Sequence, residues 1–236
     1  MEIVGHHIRF NAFNISDTYT DLHIHSTWSD GINSIVEIVQ GARIKNLRII
    51  AITDHVRRKS TYFTGYCDEI RKIGVSDLSI LIGFEAKIKN FQGNLDVSSK
   101  VRKMSDLQIG SVHRFPLGRK LISPKDLSKR ICQEVELELS VAAIKKQQMD
   151  ILGHPGGMSL KEFGEFPMEF FREIIVECSR NDIIFELNSA YHAAIYWDLQ
   201  PMLQEHNPYV SFGSDAHTLE EIGKWSTILR QGSGAC

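Results

Sequence analysis

Seven short apolar, β-branched runs recur along the chain with helical patterns between most of them, and this alternation limits the fold more than any other feature. The runs cover residues 19–25, 48–55, 79–88, 106–113, 150–153, 183–189 and 209–214. Most are continuous rather than alternating, the pattern of strands buried on both faces. Between the first two, Ile35, Ile38, Val39 and Ala42 recur at the helical period within 32–45. Residues 128–147 and 167–180 are similar, and 195–205 and 219–230 supply two more helices. Ser34 or Asn33 fits as the first helix cap, Pro167 as a first-turn residue and Thr218 as a cap before Glu220 and Glu221. The stretch 90–106 is the one irregular segment. Repeated βα units imply a parallel sheet, and seven of them imply an α/β barrel. No composition shift marks a linker, so one domain spanning 1–236 is expected, with its core over about 17–231 and a flexible tail at 232–236.

The 236 residues carry a formal net charge of −2, which argues against a broad electrostatic footprint for nucleic acid or membrane. No apolar run approaches the roughly 20 residues of a membrane span, and the first residues lack the basic and apolar stretches of an export signal. Cys67, Cys132, Cys178 and Cys236 form no CxxC pair, so reduced thiols and a cytoplasmic location are expected.

The polar residues fall at the ends of the runs. His23 and His25 end the first, followed by Asp30; Asp54 and His55 end the second; Glu85 lies in the third. His113 and His154 end the fourth and fifth, His192 follows the sixth, and Asp215 and His217 follow the last. Seven of the ten histidines therefore sit where a parallel barrel gathers its strand ends on one face. Histidine with carboxylate is a ligand set for Zn²⁺, Mn²⁺ or Fe²⁺. Residues two apart on a strand share a side, so His23 and His25 can grip one ion. Nine candidates (His23, His25, Asp30, His55, Glu85, His113, His154, Asp215 and His217) exceed what one ion can use, so two or three metals are expected. Asp54 suits a ligand or a residue that orients one.

These segments resemble the motifs of the PHP (polymerase and histidinol phosphatase) family. Asp21-Leu-His23-Ile-His25-Ser-Thr-Trp-Ser-Asp30-Gly31 resembles its first motif, Ile52-Thr-Asp54-His55 its second, and Gly83-Phe-Glu85 its metal-bridging glutamate. Ile109-Gly-Ser-Val-His113, Leu152-Gly-His154-Pro155 and Ser214-Asp215-Ala-His217 resemble the remaining three, in family order. The resemblance implies a distorted seven-stranded TIM-like barrel. It further implies a first metal on His23, His25, Glu85 and Asp215, a second on Glu85, His113 and His154, and a third on Asp30, His55 and His217. Asp30 lies one place earlier than the histidine some members carry in the first motif.

The expected chemistry is hydrolysis of a small phosphomonoester by water activated between divalent ions, as in the histidinol-phosphatase branch that the Ile109–His113 segment resembles. Arg114, beside His113, and Arg57 and Arg58, after His55, are candidates to clamp the phosphate, whereas Lys59 reads as solvated surface. Glu85 is expected to bridge metals, and His217, His192 or metal-bound water is a candidate to protonate the leaving group, although a structural histidine at 192 fits equally. Trp28 either stacks on substrate or covers the site. His6, His7 and His206 are off the pattern. A nucleic-acid exonuclease, a cyclic-phosphodiester hydrolase and an inactive metal-binding barrel are the alternatives.

Overall fold

A computed structural model describes residues 8–117 and 120–232. His6, His7, Cys236 and the tail after Gly232 lie outside them. The strands are β1 (Ile8–Arg9), β2 (Thr20–Ile24), β3 (Ile49–Ile52), β4 (His55–Val56), β5 (Ser79–Lys87), β6 (Leu107–Ser111), β7 (Phe115–Leu117), β8 (Lys120–Ile122), β9 (Ile151–Gly153), β10 (Ile184–Asn188) and β11 (Tyr209–Gly213). The helices are α1 (Ile35–Ile44), α2 (Phe63–Arg71), α3 (Ser99–Met104), α4 (Lys129–Lys146), α5 (Gly157–Phe163), α6 (Met168–Asn181), α7 (Ser189–His192), α8 (Tyr196–His206) and α9 (Trp225–Gly232). Among the described residues no helix is long and apolar enough to cross a membrane.

Each of the seven apolar runs contributes one parallel strand, in the order β2-β3-β5-β6-β9-β10-β11. β1 extends this sheet antiparallel on β11, which gives a continuous path of eight strands, and β4 pairs with β5 off the path. The second run breaks into β3 and β4 because Thr53 turns its N–H to the Ile24 carbonyl (2.8 Å) while the Asp54 carbonyl accepts from the Glu85 N–H (3.2 Å). β7 and β8 form a separate hairpin.

The sheet curls into a half-barrel whose ends approach, and the contact differs from the ladder of a regular closed barrel. Ile24 bridges Ala216, with His25 N–H donating to the Ala216 carbonyl at 2.8 Å. A side chain completes the junction. The buried Asp21 carboxylate accepts from the Ser214 N–H (3.0 Å), the Ser214 hydroxyl (2.6 Å) and the Gly223 N–H (2.8 Å). Burial pushes the Asp21 carboxyl up to about 6 against the pull of these donors.

The curl has an inner layer to which several strands contribute. Leu22, Ala51, Leu107, Ile109, Ile151 and Ile184 pack together, with Ile49, Leu81 and Tyr209 against them. A register shift between Asp21 and Ile24 lets Leu22 join this layer while Ile24 packs on the helical side. One step further along each strand, period-two alternation puts polar residues above the plug: Glu85 on β5 and Glu186 on β10. The larger cluster lies between sheet and helices, where α1 buries Ile35, Ile38, Val39 and Ala42.

Helix ends follow local chemistry. Ser34 caps α1 in a reciprocal pair: its hydroxyl accepts from the Glu37 N–H (3.3 Å), and Glu37 accepts from the Ser34 N–H (2.8 Å). Pro167 stands just ahead of α6. The helix expected from Leu219 begins only at Trp225, so Thr218 does not cap it. Lys45 Nζ takes the carbonyls of Leu219, Glu220 and Ile222, and Gly223 adopts φ +68°, which together unwind the segment. The irregular stretch 90–106 contains α3, where the Ser98 hydroxyl accepts from Val101 N–H.

Asp21→Ala takes the acceptor from the backbone N–H groups of His23, Ser214 and Gly223 and leaves the Ser214 hydroxyl only the His23 carbonyl. It should cost about 1–3 kcal/mol per stranded buried donor, read as a lower urea midpoint; a variant as stable as the parent would remove Asp21 from the closure.

Candidate metal centre

Glu85 is the hub. Its side chain is 0% exposed, and the register of β4 on β5 sets His55 directly opposite it. Oε1 lies 3.0 Å from His154 Nε2, 3.1 Å from His113 Nε2 and 3.5 Å from His23 Nε2. Oε2 lies 2.8 Å from His55 Nδ1 and 3.6 Å from His25 Nε2. Five histidines from four strand ends thus surround one buried carboxylate.

Donor atoms gather in three overlapping groups. His23, His25, Glu85 and Asp215 each offer one atom within 4.8 Å of the others, and so do His25, Asp30, His55 and His217, and likewise His55, Glu85 and His113. His113 and His154 bring their Nε2 atoms within 3.2 Å of each other beside Glu85 Oε1. All nine residues expected as ligands therefore meet in one cluster, but His25 and His55 each belong to two groups rather than one. His154 and Asp215 are held at φ +31° and +54°, left-handed conformations uncommon for non-glycine residues and found where a turn must aim a side chain.

The hydrogen bonds fix which ring nitrogens remain for a cation. His23 Nδ1 faces Glu186 Oε1 at 2.8 Å and donates to it, so in the neutral ring Nε2 is the nitrogen that carries the lone pair. That buried Nε2 has no hydrogen-bond partner, and its neighbours are the carboxylate oxygens of Glu85 and Asp215, both at 3.5 Å. Two carboxylate oxygens facing that nitrogen call for positive charge between them, which a ring proton or a bound cation supplies; Glu186 and Glu85 accordingly push His23 up against burial. His217 Nδ1 donates to the Asp215 carbonyl (2.8 Å), which leaves its Nε2 facing Asp30 Oδ1 at 3.4 Å. Divalent metal fits this donor set.

The charges agree. Burial pushes Glu85 up, but His113, His23 and His55 outweigh it and hold the carboxyl well below the usual range. Asp215 is likewise pulled down against burial, by the His25 hydrogen bond and the His23 charge. The His55 hydrogen bond holds Asp30 low. His55 is depressed by burial yet raised to about 10 by Glu85 and Asp30. The carboxylates push His23, His55 and His154 up against burial, whereas at His113 burial outweighs Glu85 and pushes the ring down.

Asp54 proves to be no part of the donor groups. It accepts from the Ser26 N–H (3.0 Å), the Ser26 hydroxyl (2.7 Å) and the Ser29 hydroxyl (2.5 Å), and so pins the loop that carries Asp30. His192 is corrected as a catalytic candidate. It is fully buried, its Nδ1 accepts from the Asn188 N–H (3.1 Å) and its Nε2 donates to the Pro155 carbonyl (2.8 Å). Burial pushes it down to about 4, and with both ring nitrogens committed it braces the His154 turn, the structural role. Trp28 donates to Glu69 (2.8 Å) and stacks on Tyr62, so it docks on α2 rather than presenting a face to substrate.

A cleft of about 280 Å³ opens over the cluster, lined by Asp30, His55, Val56, Arg57, Lys87, His113 and Arg114. Arg114 and Arg57 stand where the sequence suggests; Arg58 is exposed and does not line the cleft. Lys87 escaped the sequence reading, although it sits two residues from Glu85 and so shares its side of β5. Asp96 steadies it at 3.5 Å. Glu186 also escaped, as did Tyr191, whose ring lies 5.1 Å from His154 and whose hydroxyl is pushed up by burial and by Asp215.

The PHP domain model matches residues 21–190. The chain belongs to the PHP family. A protein of Thermoanaerobacter sp. (strain X514) named "probable phosphatase" is 24% identical over 225 residues, covering 89% of this chain and 83% of that one. Among solved structures, the histidinol phosphate phosphatase of Lactococcus lactis, complexed with zinc, L-histidinol and phosphate, matches with a TM-score of 0.70 at 20% identity. It covers 90% of this chain and 92% of its own. A Listeria monocytogenes structure assigned to the same histidinol phosphatase group matches with a TM-score of 0.67 at 20% identity, over 92% of this PHP chain and 100% of its own. These likenesses establish the PHP fold.

Asp54→Ala should release the loop over 26–30. Loss of a charge-assisted bond of about 1.5–3 kcal/mol predicts at least tenfold faster hydrogen exchange at the Ser26 amide, and unchanged exchange would contradict the pinning.

Proposed function

We propose that this PHP protein is a metal-dependent phosphatase that hydrolyses a small phosphomonoester. Two or three divalent ions (Zn²⁺, Mn²⁺ or Fe²⁺) would be held as the family motifs imply: by His23, His25, Glu85 and Asp215; by Glu85, His113 and His154; and by Asp30, His55 and His217. One observation carries the reading: a buried cluster of convergent imidazole nitrogens and carboxylate oxygens opens into a cleft ringed by Arg57, Lys87 and Arg114. Carboxylates at the floor select cations, and cations at the rim select an anion.

Bound divalent ions supply positive charge to the phosphoryl oxygens and acidify water at the cluster. The chain does the rest. Glu85, with both oxygens inside the cluster, holds the two deeper groups at a fixed separation. Arg114 and Arg57 offer forked donors to the non-bridging phosphate oxygens, and Lys87 adds a point charge from β5, the strand between them. His217, with Nδ1 committed to a backbone carbonyl, turns a lone pair into the site, which suits a ligand better than an acid toward the leaving group. A barrel closed through Asp21 would keep the two ends of the donor set, His23 and Asp215, in register.

The test is phosphate release across amino-alcohol phosphates, sugar phosphates, nucleotides and short oligonucleotides, with added Mn²⁺ or Zn²⁺. Release from one of the small monoesters is expected; the ligands of the Lactococcus lactis structure put histidinol phosphate first in the series. Release from oligonucleotides alone would overturn the monoesterase reading, and no release from any would overturn the enzyme. Glu85→Gln should abolish turnover in a folded protein. Lys87→Ala should lower kcat/KM by about tenfold to hundredfold, the range for losing one charge-assisted hydrogen bond; an unaffected variant would remove Lys87 from the phosphate site.

A further inference from the structure

Glu186 lies in the middle of β10, fully buried, on the inward side between Ile184 of the apolar plug and Asn188. A carboxylate in such a place is costly unless every lone pair is used. Its two oxygens are divided between two parts of the cluster. Oε1 accepts from His23 Nδ1 at 2.8 Å. Oε2 accepts from the backbone N–H of His154 at 2.5 Å and from the Asn188 side-chain amide at 3.1 Å. Space for the carboxylate comes from Gly213 on the adjacent strand, where a Cβ would collide with Glu186 Oε1 and with His23 Cβ. The local sequence is built around this side chain.

We infer that Glu186 is the positioning residue that sets His23 and His154 together for metal: one oxygen fixes the ring tautomer of His23, the other fixes the backbone turn of His154. The inference rests on the metal-centre reading above and concerns a residue outside the donor groups. With Nδ1–H committed to Glu186, Nε2 is the nitrogen a metal takes, facing Glu85 and Asp215. The His154 bond anchors a residue held at φ +31°, and His192 completes the brace from below through Pro155. His23 and His154 both turn Nε2 toward Glu85 Oε1, at 3.5 and 3.0 Å, so a single carboxylate behind them aligns both.

Glutamine at 186 keeps the shape and cannot do both jobs. If its oxygen faces His23, its amide hydrogens meet the N–H of His154. If it is turned over, the amide faces His23 Nδ1 and favours the tautomer with a proton on Nε2. Either way one ligand is lost or misaligned.

The experiment uses the full chain and two readouts. Zn²⁺ affinity is measured by competition with a chromophoric chelator, and the His23 ring by ¹⁵N-resolved NMR of the Zn²⁺-loaded protein. The parent should show a downfield, slowly exchanging Nδ1 proton on His23, and Glu186→Gln should move it upfield or lose it, according to which way the amide faces, and bind Zn²⁺ about tenfold to hundredfold more weakly, with activity recovering as metal is raised. A merely structural role would lower the melting temperature without moving the His23 resonance or permitting metal rescue. Zn²⁺ binding by the parent with His23 protonated at Nε2 overturns the inference whatever the variant does, as does an unchanged affinity in a folded Glu186→Gln. A parent that binds no Zn²⁺ or Mn²⁺ overturns the metal centre instead.

Discussion

A carboxylate at the centre of a curled sheet, with five imidazoles around it, is the constraint that organises this protein. Glu85 has no access to water, and its negative charge must be met locally. The fold meets it by bringing strand ends from β2, β4, β6 and β9 to its two oxygens. The same convergence makes the cluster attractive to cations, because Asp30 and Asp215 add further negative charge at its margin. Structure and candidate chemistry therefore have one origin. A sheet that did not curl would leave His23 and His154 far apart, and a curl without its polar layer would be an ordinary apolar barrel.

Much of the fold was legible because strands buried on both faces write continuous apolar runs. All seven runs became parallel strands in chain order, and the candidate ligands stood at their ends because a parallel sheet leaves no other place for polar side chains. What misled was local capture of backbone groups. Lys45, distant in sequence, takes the carbonyls that would have begun a helix at Leu219, and no pattern within 219–230 announces it. Closure was legible only in outline: an aspartate, rather than a continued ladder, does much of the joining at Ser214.

The site was legible as a set of residue types and less so as roles. Asp54 and His192 have the right chemistry in the right places, yet hydrogen bonds commit both to holding loops. Glu186 carried a signal that period-two alternation could have caught, since a glutamate inside Ile183–Ser189 is anomalous unless it is paired. Lys87 carried a weaker one, two residues from Glu85 on the same side of β5. In each case the missing information was the partner, which the fold and not the local pattern supplies.

The central claim is that Glu85 lies between metal ions. Anomalous diffraction from crystals grown with Zn²⁺, with data collected on both sides of the zinc absorption edge, tests it most directly. The account predicts peaks on either side of the Glu85 carboxylate, one bounded by His23, His25 and Asp215 and the other by His113 and His154. Zinc peaks remote from Glu85, or none at full Zn²⁺ loading, would contradict it.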